Sequence, residues 1–251
     1  SEILAQGLVD YDVSIGVRRE DFGFASDNYE DDPVYSGSVR YGLNSWLTPQ
    51  FLVQGGQDLQ LAGAGVSLLA GNWGVFEYSH TASDYLQQTG WQESIAYSYS
   101  QQRLGMSARY LQRHGNFRDL GNLDFEVLRD SQWQLAFSFY QRQAGSFNLG
   151  YVRVNEQSVG SREFATLSWN RYFNSGLTFF ANINRQLYGE KGSIFSLALS
   201  VPLGRTGQAS VGSQRDIDNS WRTQVQAMAN APYSGGMGWR MGVDDSAEKN
   251  A

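Results

Sequence analysis

The fold class is decided by Leu177-Thr-Phe-Phe-Ala-Asn-Ile-Asn-Arg185 and, after a polar connection, Ser193-Ile-Phe-Ser-Leu-Ala-Leu-Ser-Val-Pro-Leu203. In both runs apolar side chains alternate with polar or small ones. Since side chains on a strand point to opposite faces with a period of two, each run has one apolar face and one mostly polar face. The polar connection Gln186–Gly192 joins them into a predicted β-hairpin with two chemically different faces.

The composition restricts the class of protein. The chain has 251 residues, 14% aromatic residues, 28 glycines, no cysteine, two histidines and a net charge of −6. No apolar run approaches the ~20 residues of a transmembrane helix. This combination is typical of an outer-membrane β-barrel, with a soluble β-sandwich or β-solenoid as the alternative. The negative charge disfavours nucleic acid as a partner.

The alternation recurs along residues 1–251, which we treat as a single segment of all-β fold. We count roughly fifteen strands of about ten residues, close to the length that crosses a bilayer at a tilt. Connections at one end are short, and most at the other end are longer and polar. This predicts an antiparallel up-and-down transmembrane β-barrel segment of about 14–16 strands, with periplasmic turns and extracellular loops. The longer connections include 20–32, 84–88 and 114–130.

Three local features leave alternatives open. The segment 114–130 is either a long loop or a loop with a short strand near Leu123–Val127. Pro49 predicts a strand end or a bulge, because proline cannot donate to the ladder. Gly63-Ala-Gly65 predicts a place where another part of the protein approaches the strand closely.

The two faces predict opposite environments. The polar face is expected to line a wide, water-filled pore, since so many strands leave an open interior. Its members are Asp12, Ser14, Arg18, Ser36, Ser38, Arg40, Ser98, Arg109, Gln134, Ser138, Asn182, Asn184, Ser196 and Ser200. The residues predicted to face lipid are Val13, Ile15, Tyr97, Phe137, Leu177, Phe179, Ile183, Phe195, Leu197 and Leu199. Phe180 and Ala198 interrupt the polar pattern.

We predict no catalytic residue, cofactor or metal site. A serine triad needs a histidine, and neither His80 nor His114 is accompanied by a nucleophile elbow. The acidic residues Asp27 and 30–32 lack the spacing of a known calcium loop, which favours a solvated extracellular loop.

Four stretches, in order along the chain, resemble fimbrial outer-membrane ushers of the chaperone–usher pathway. They are Leu4-Ala-Gln-Gly-Leu-Val-Asp-Tyr-Asp-Val-Ser-Ile-Gly16, Ser36-Gly-Ser-Val-Arg-Tyr-Gly-Leu-Asn-Ser-Trp-Leu-Thr48, Ala62-Gly-Ala-Gly-Val-Ser-Leu-Leu-Ala-Gly-Asn-Trp-Gly74 and Ser196-Leu-Ala-Leu-Ser-Val-Pro-Leu-Gly204. Each motif is short and degenerate, so the resemblance depends on their order.

The resemblance implies part of a translocation barrel of about 24 strands in the outer membrane of a Gram-negative bacterium. By the same resemblance, the full-length usher exports pilus subunits that reach it as chaperone–subunit complexes, and its barrel contacts outer-membrane lipid. We expect this piece to lack the plug, the N-terminal domain and the C-terminal domains. A porin-type passive channel and a soluble β-rich binding or structural protein are the alternative functions.

Overall fold

The computed structural model contains one antiparallel sheet in which fifteen strands, β1 to β15, lie side by side in chain order. It describes residues 3–19, 29–56, 58–123, 129–157, 160–188, 192–204, 206–217, 220–231 and 235–246. The strands are β1 Val9–Arg19, β2 Tyr29–Tyr41, β3 Leu47–Gly56, β4 Leu59–Leu69, β5 Val75–Tyr85, β6 Gln88–Ser100, β7 Leu104–Gly115, β8 Arg129–Gln141, β9 Gly145–Glu156, β10 Gly160–Tyr172, β11 Thr178–Tyr188, β12 Gly192–Leu203, β13 Gly207–Arg215, β14 Trp221–Ala229 and β15 Trp239–Ser246.

The predicted fold class and strand number are confirmed. One short 3-10 helix, Gly71–Trp73, precedes β5. In the described part of the chain, no helix has the length and hydrophobicity that crossing a membrane requires.

The chain divides into two compact units. The first unit comprises residues 1–100, 106–134 and 154–160, and the second comprises residues 101–105, 135–153 and 161–251.

The first unit has one polar and one apolar face, which follow from the strand register. Asp12 pairs with Ser38 and Val13 pairs with Gly37, and opposed residues lie on the same face of an antiparallel pair. Across β1 to β5 the polar face carries Asp10, Asp12, Ser14, Ser36, Ser38, Arg40, Thr48, Gln50, Gln54, Ser67, Glu77, Ser79, Thr81 and Ser83. The apolar face carries Tyr11, Val13, Ile15, Tyr35, Val39, Phe51, Val53, Val66, Leu68, Phe76, Tyr78, Ile95 and Tyr97.

The second unit repeats this division. Phe179 pairs with Leu199 and Ile183 with Phe195, whereas Asn182 pairs with Ser196. The apolar face continues through Val211, Val225 and Val243. The opening hairpin is therefore confirmed, although its connection is shorter than expected, because Gln186 already pairs with Gly192.

Several strand boundaries differ from the sequence prediction. β2 begins at Tyr29, so the acidic residues 31–32 lie in a strand and not in a loop. β5 extends to Tyr85, and β6 begins at Gln88. The turn between them is made by Leu86 and Gln87, both with positive φ. Such a turn matches the twist of the flanking strands, which explains why a polar stretch stays extended.

The structure decides the role of Pro49 and describes only part of the segment Leu123–Val127. Pro49 lies in β3 and pairs with Val66 of β4. The pairing of β3 with β2 covers Gln50 to Gly55, so it stops one residue short of Pro49. Proline therefore lies where a ladder ends. Most of the segment Leu123–Val127, like Asp27, lies outside the described residues.

Candidate functional site

The polar face of the first unit carries ion pairs toward one end of its strands. Arg40 lies 3.5 Å from Asp10, and Arg109 lies 3.9 Å from Glu77. The Ser67 hydroxyl donates to Glu77 across 3.2 Å, and Ser67 is buried. These partly exposed charges set a local field on the face and contribute little to stability.

A loop that follows β7, residues 116–123, folds onto this polar face. Phe117 is 1% exposed and packs with Leu59, Leu61 and Leu123 in the hydrophobic core of the described residues. Leu59 and Leu61 belong to the polar face, since they pair with Tyr85 and Ser83. The loop therefore buries apolar side chains that would otherwise be exposed on a polar surface.

Backbone hydrogen bonds hold the loop in place. The Asn116 N–H donates to the Thr89 carbonyl across 3.1 Å, and the Arg118 N–H donates to Ser83 Oγ across 2.9 Å. The Leu120 N–H donates to Gln54 Oε1 across 3.1 Å. Because these three donors are satisfied by the Thr89 carbonyl of β6 and by side chains of β5 and β3, the loop keeps them hydrogen-bonded while it lies against the sheet.

A glycine makes this approach possible. A Cβ atom on Gly90 would lie 2.1 Å from the Phe117 nitrogen. Only a residue without a side chain allows the loop backbone so close to β6.

The segment 3–8, before β1, contacts the same face at the opposite strand ends. The Leu4 N–H donates to Thr48 Oγ1 across 3.0 Å, and Thr48 is fully buried. The Gly7 N–H donates to the Gly42 carbonyl across 2.7 Å. A Cβ on Gly42 would lie 2.0 Å from the Ala5 carbonyl oxygen, so this glycine is required for the contact.

The glycines of β4 lie at crowded positions, as predicted. A Cβ on Gly63 would meet Thr81 Oγ1 at 2.6 Å, and one on Gly65 would meet Gln50 Nε2 at 2.5 Å. Within the described residues, the crowding comes from side chains of the neighbouring strands β5 and β3.

The polar face of the second unit carries a continuous set of uncharged side chains, which we call the uncharged wall. It consists of Thr166, Ser168, Asn170, Phe180, Asn182, Asn184, Ser196, Ala198, Ser200, Gln208, Ser210, Gly212 and Gln214. None of these residues is ionisable, in contrast to the first unit.

Hydrogen bonds between side chains order the uncharged wall. Thr166 Oγ1 donates to Asn184, Asn184 donates to Asn182 across 2.6 Å, and Asn182 donates to Thr166 across 3.2 Å. These three residues form a closed ring of hydrogen bonds. Gln208 also donates to Ser200 across 2.6 Å.

Phe180 is the one aromatic member of the uncharged wall, and its neighbours explain how it fits. It pairs with Asn170 on one side and with Ala198 on the other, and Ala198 pairs with Gly212. The small residues beside it leave room for the ring, which is 37% exposed.

The structure brings most of the predicted polar residues together within their units. Asp12, Ser14, Ser36, Ser38 and Arg40 are neighbours across β1 and β2, and Asn182 is opposite Ser196. Ser98 pairs with Val75 on the polar face, Ser200 pairs with Thr178, and Asn184 pairs with Ile194.

Three further predicted positions, Arg18, Gln134 and Ser138, lie outside these paired sets. Arg18 lies at a register shift between Val17 and Arg19, so the alternation does not place it on a face. Gln134 and Ser138 lie on β8, where Ser138 Oγ stands over Gly105.

The predicted apolar residues also share a face, except at one position. Phe179, Ile183, Phe195, Leu197 and Leu199 are paired neighbours on β11 and β12. Tyr97 contacts Phe76 with ring centroids 4.8 Å apart, Val13 and Ile15 are exposed on β1, and Phe137 is exposed on β8. Leu177 was predicted as a strand residue, but it precedes β11 and its carbonyl accepts the Phe173 N–H in the turn.

Sequence reasoning missed the loop core of Phe117, Leu59, Leu61 and Leu123. A usable signal exists: Leu59 and Leu61 place large apolar side chains on a face that is otherwise polar or small. The loop supplies apolar residues at intervals of three, at positions 117, 120 and 123. No group of three or more acidic or histidine side chains suited to a metal occurs within the described ranges.

The chain was compared with known proteins. No family model and no curated protein sequence matches it. A structure of the P pilus usher (PapC) translocation pore matches with a TM-score of 0.71 and 19% identity, over 98% of this chain and 52% of that chain. The chain has the fold of part of an usher pore.

Two other solved structures support this assignment of the fold. PapC in an E. coli P pilus tip assembly intermediate, PapC-PapD-PapK-PapG, matches with a TM-score of 0.83 and 20% identity, over 98% of this chain and 32% of that chain. A crystal structure of the PapC translocation pore matches with a TM-score of 0.66 and 16% identity, over 98% of this chain and 58% of that chain. This chain thus spans about a third to somewhat over half of these usher chains.

Proposed function

We propose that this chain forms part of the wall of an outer-membrane pore through which folded pilus-type subunits are exported. The observation that carries the proposal is the match of 98% of the chain to the PapC translocation pore. The division of each unit into a polar and an apolar face supports it, because a pore wall meets water on one side and lipid on the other.

In this proposal, the polar faces of both units line the pore. Asp12, Ser38 and Arg40 of the first unit and Asn182, Ser196 and Ser200 of the second then contact water or the exported protein. Phe179, Ile183 and Leu197 contact the hydrocarbon core. The proposal includes no catalytic step, cofactor or nucleic acid.

A proposal about partners is supported by the matched assembly, in which PapC is seen with PapD, PapK and PapG. We infer that the full-length protein that contains this chain receives subunits bound to a periplasmic chaperone. The Gram-negative outer membrane is the corresponding location.

The absence of cysteine provides a direct test of the two faces. Ser196→Cys and Leu197→Cys place a thiol on adjacent residues of β12 that point to opposite faces. In membranes, a charged, water-soluble maleimide is expected to label position 196 and to spare position 197. The reversed pattern, or equal labelling of both, would overturn the pore.

Export is tested by deleting the gene and searching for surface pili. Loss of pili, with restoration by the intact gene, supports the usher function. Normal piliation combined with reduced uptake of small solutes would instead indicate a passive porin-type channel.

A further inference from the structure

We propose that the apolar face of the first unit holds a glycolipid in a groove between Tyr35 and Trp91. The groove has a volume of about 790 Å³. The inference rests on the proposed function in one respect only, namely that this face meets the membrane.

Small side chains form the floor of the groove. Ala62 pairs with Val53 on one side and with Ala82 on the other, and Ala82 pairs with Trp91. Both alanines are exposed, and Val53, His80 and Trp91 beside them on the same face are larger. The floor is therefore a depression wide enough for a hydrocarbon chain.

The first wall of the groove is formed by Tyr35. Its hydroxyl lies 2.3 Å from where a Cβ on Gly55 would stand, so the ring extends across β3 toward the floor. Glycine at position 55 allows this orientation of the tyrosine.

The second wall is a row of three stacked rings on β5, β6 and β7. The centroid of Trp91 lies 5.6 Å from that of His80 and 3.9 Å from that of His114. Glu93 fixes the base of the row, since it lies 3.5 Å from His80 Nδ1 and accepts the Tyr78 hydroxyl across 3.2 Å. A wall held in this way is formed before a ligand arrives, which lowers the entropic cost of binding.

One end of the groove is polar. Gln60 pairs with Asp84, and Asp84 pairs with Thr89, so these three side chains form a row across β4, β5 and β6. Gln60 and Asp84 also line a second hollow of about 520 Å³, which includes Asp58 and Gln87 at the adjacent turns. An apolar floor that leads into a polar end fits an amphiphile.

The polar groups favour a sugar over a phosphate as the head group of this amphiphile. No lysine or arginine is among the residues that line either hollow, so an anionic head group finds no permanent cation there. Carboxylates accept hydrogen bonds, and amides and imidazoles both donate and accept them, which suits the hydroxyl and amide groups of a sugar. Trp91 and Tyr35 offer aromatic surfaces to its apolar parts.

The test compares two lipids on the full-length protein, purified in a detergent without a sugar head group. The probes are an uncharged glycolipid, monoglucosyl diacylglycerol, and phosphatidylglycerol, and native mass spectrometry counts bound lipid. The variant Ala62→Phe/Ala82→Phe fills the floor. The matched control is Ala209→Phe/Ala227→Phe, which changes a directly paired alanine couple on the apolar face of the second unit.

We expect glycolipid binding to fall by about tenfold in the floor variant and to remain unchanged in the control. Asp84→Lys leaves the floor intact and is expected to shift the preference toward phosphatidylglycerol, which keeps the test decisive if the floor variant fails to fold. Equal or stronger binding of phosphatidylglycerol by the unmodified protein, or glycolipid binding unaffected by both variants, would overturn the proposal. Thiol labelling at positions 196 and 197 tests the proposed pore independently of this lipid-binding experiment.

Discussion

The polar faces of the two units have the same alternation of side chains, but they differ in what covers them and in the charge of their side chains. In the first unit, the loop 116–123 and the segment 3–8 cover opposite ends of the face, and ion pairs such as Glu77–Arg109 lie nearby. In the second unit, the uncharged wall presents amides and hydroxyls, of which Asn182 and Asn184 bond to each other.

The difference shows that one strand pattern can serve two purposes. The first face holds segments of its own chain by buried apolar contacts and side-chain hydrogen bonds. The uncharged wall on β10 to β13 of the second face satisfies many of its hydrogen bonds internally and carries no charge, whereas Arg222, Arg240 and Asp244 lie on the same face of β14 and β15. In an export pore, the first face would fix parts of the protein, and the uncharged wall would let a folded subunit pass without forming ion pairs there.

The largest expected effect comes from Phe117→Ala, which removes the anchor of the loop. Truncation of a buried phenylalanine costs about 3–5 kcal/mol, and we expect that cost to appear as release of the loop. Amide hydrogen exchange at Leu120, whose N–H bonds to Gln54, should accelerate by about a hundredfold or more.

The matched control for the loop is Phe180→Ala on the uncharged wall. This ring is 37% exposed, so its removal should leave hydrogen exchange in the neighbouring strands nearly unchanged. Similar effects from the two substitutions would remove the distinction between the faces.

Gly42→Ala is expected to have the second largest effect. The new Cβ would lie 2.0 Å from the Ala5 carbonyl oxygen, so the segment 3–8 must move, at a cost of about 1–3 kcal/mol. Hydrogen exchange at Leu4, which donates to Thr48, measures the displacement. Gly212→Ala is the control in the second unit, because its nearest atom is 3.7 Å away. Unchanged protection at Leu4 would contradict the role of Gly42.

Asn182→Ala opens the ring of hydrogen bonds on the uncharged wall. We expect a loss of about 1 kcal/mol in the free energy of unfolding, measured with urea in detergent micelles. A double-mutant cycle with Asn184→Ala should give a coupling energy of about 0.5 kcal/mol or more, because the two side chains share one ring. Simple additivity would show that the ring does not act as a unit.

The smallest effect on stability is expected for Glu77→Gln, at less than about 1 kcal/mol, because its partner Arg109 is largely exposed. The loss of a carboxylate should nevertheless shift the reversal potential of single channels toward anions. Asn184→Asp on the uncharged wall should shift it toward cations. If either substitution left the ion selectivity unchanged, that face would not line the conducting pathway.

The hairpin of β11 and β12 shows what alternation alone can predict. A slip of one residue would move every apolar side chain of the hairpin to the polar face, so the pairing of Ile183 with Phe195 is strongly specified by sequence. The same reasoning predicted that Asp12 and Ser38 share the polar face, and the structure pairs them directly. The fold class and strand number followed from these patterns.

The covering of the first face could not be predicted in the same way. The loop residue Phe117 belongs to no periodic run, and its contacts with Leu59 and Leu61 join distant parts of the chain. Its position depends on Gly90, whose missing Cβ is meaningful only once β6 and the loop are known to touch. The prediction of a longer connection at 84–88 is wrong because polarity alone does not show that a stretch leaves the sheet, and here a tight turn at Leu86 and Gln87 leaves its flanks in β5 and β6.

The order of the strands has a consequence for how the protein is made. Every strand pairs with its neighbour in the chain, from β1 to β15. Each pairing therefore closes only a short loop and costs little chain entropy. The sheet can grow by one hairpin at a time, in the order in which the chain arrives at a membrane, with the most recent strand serving as the template for the next.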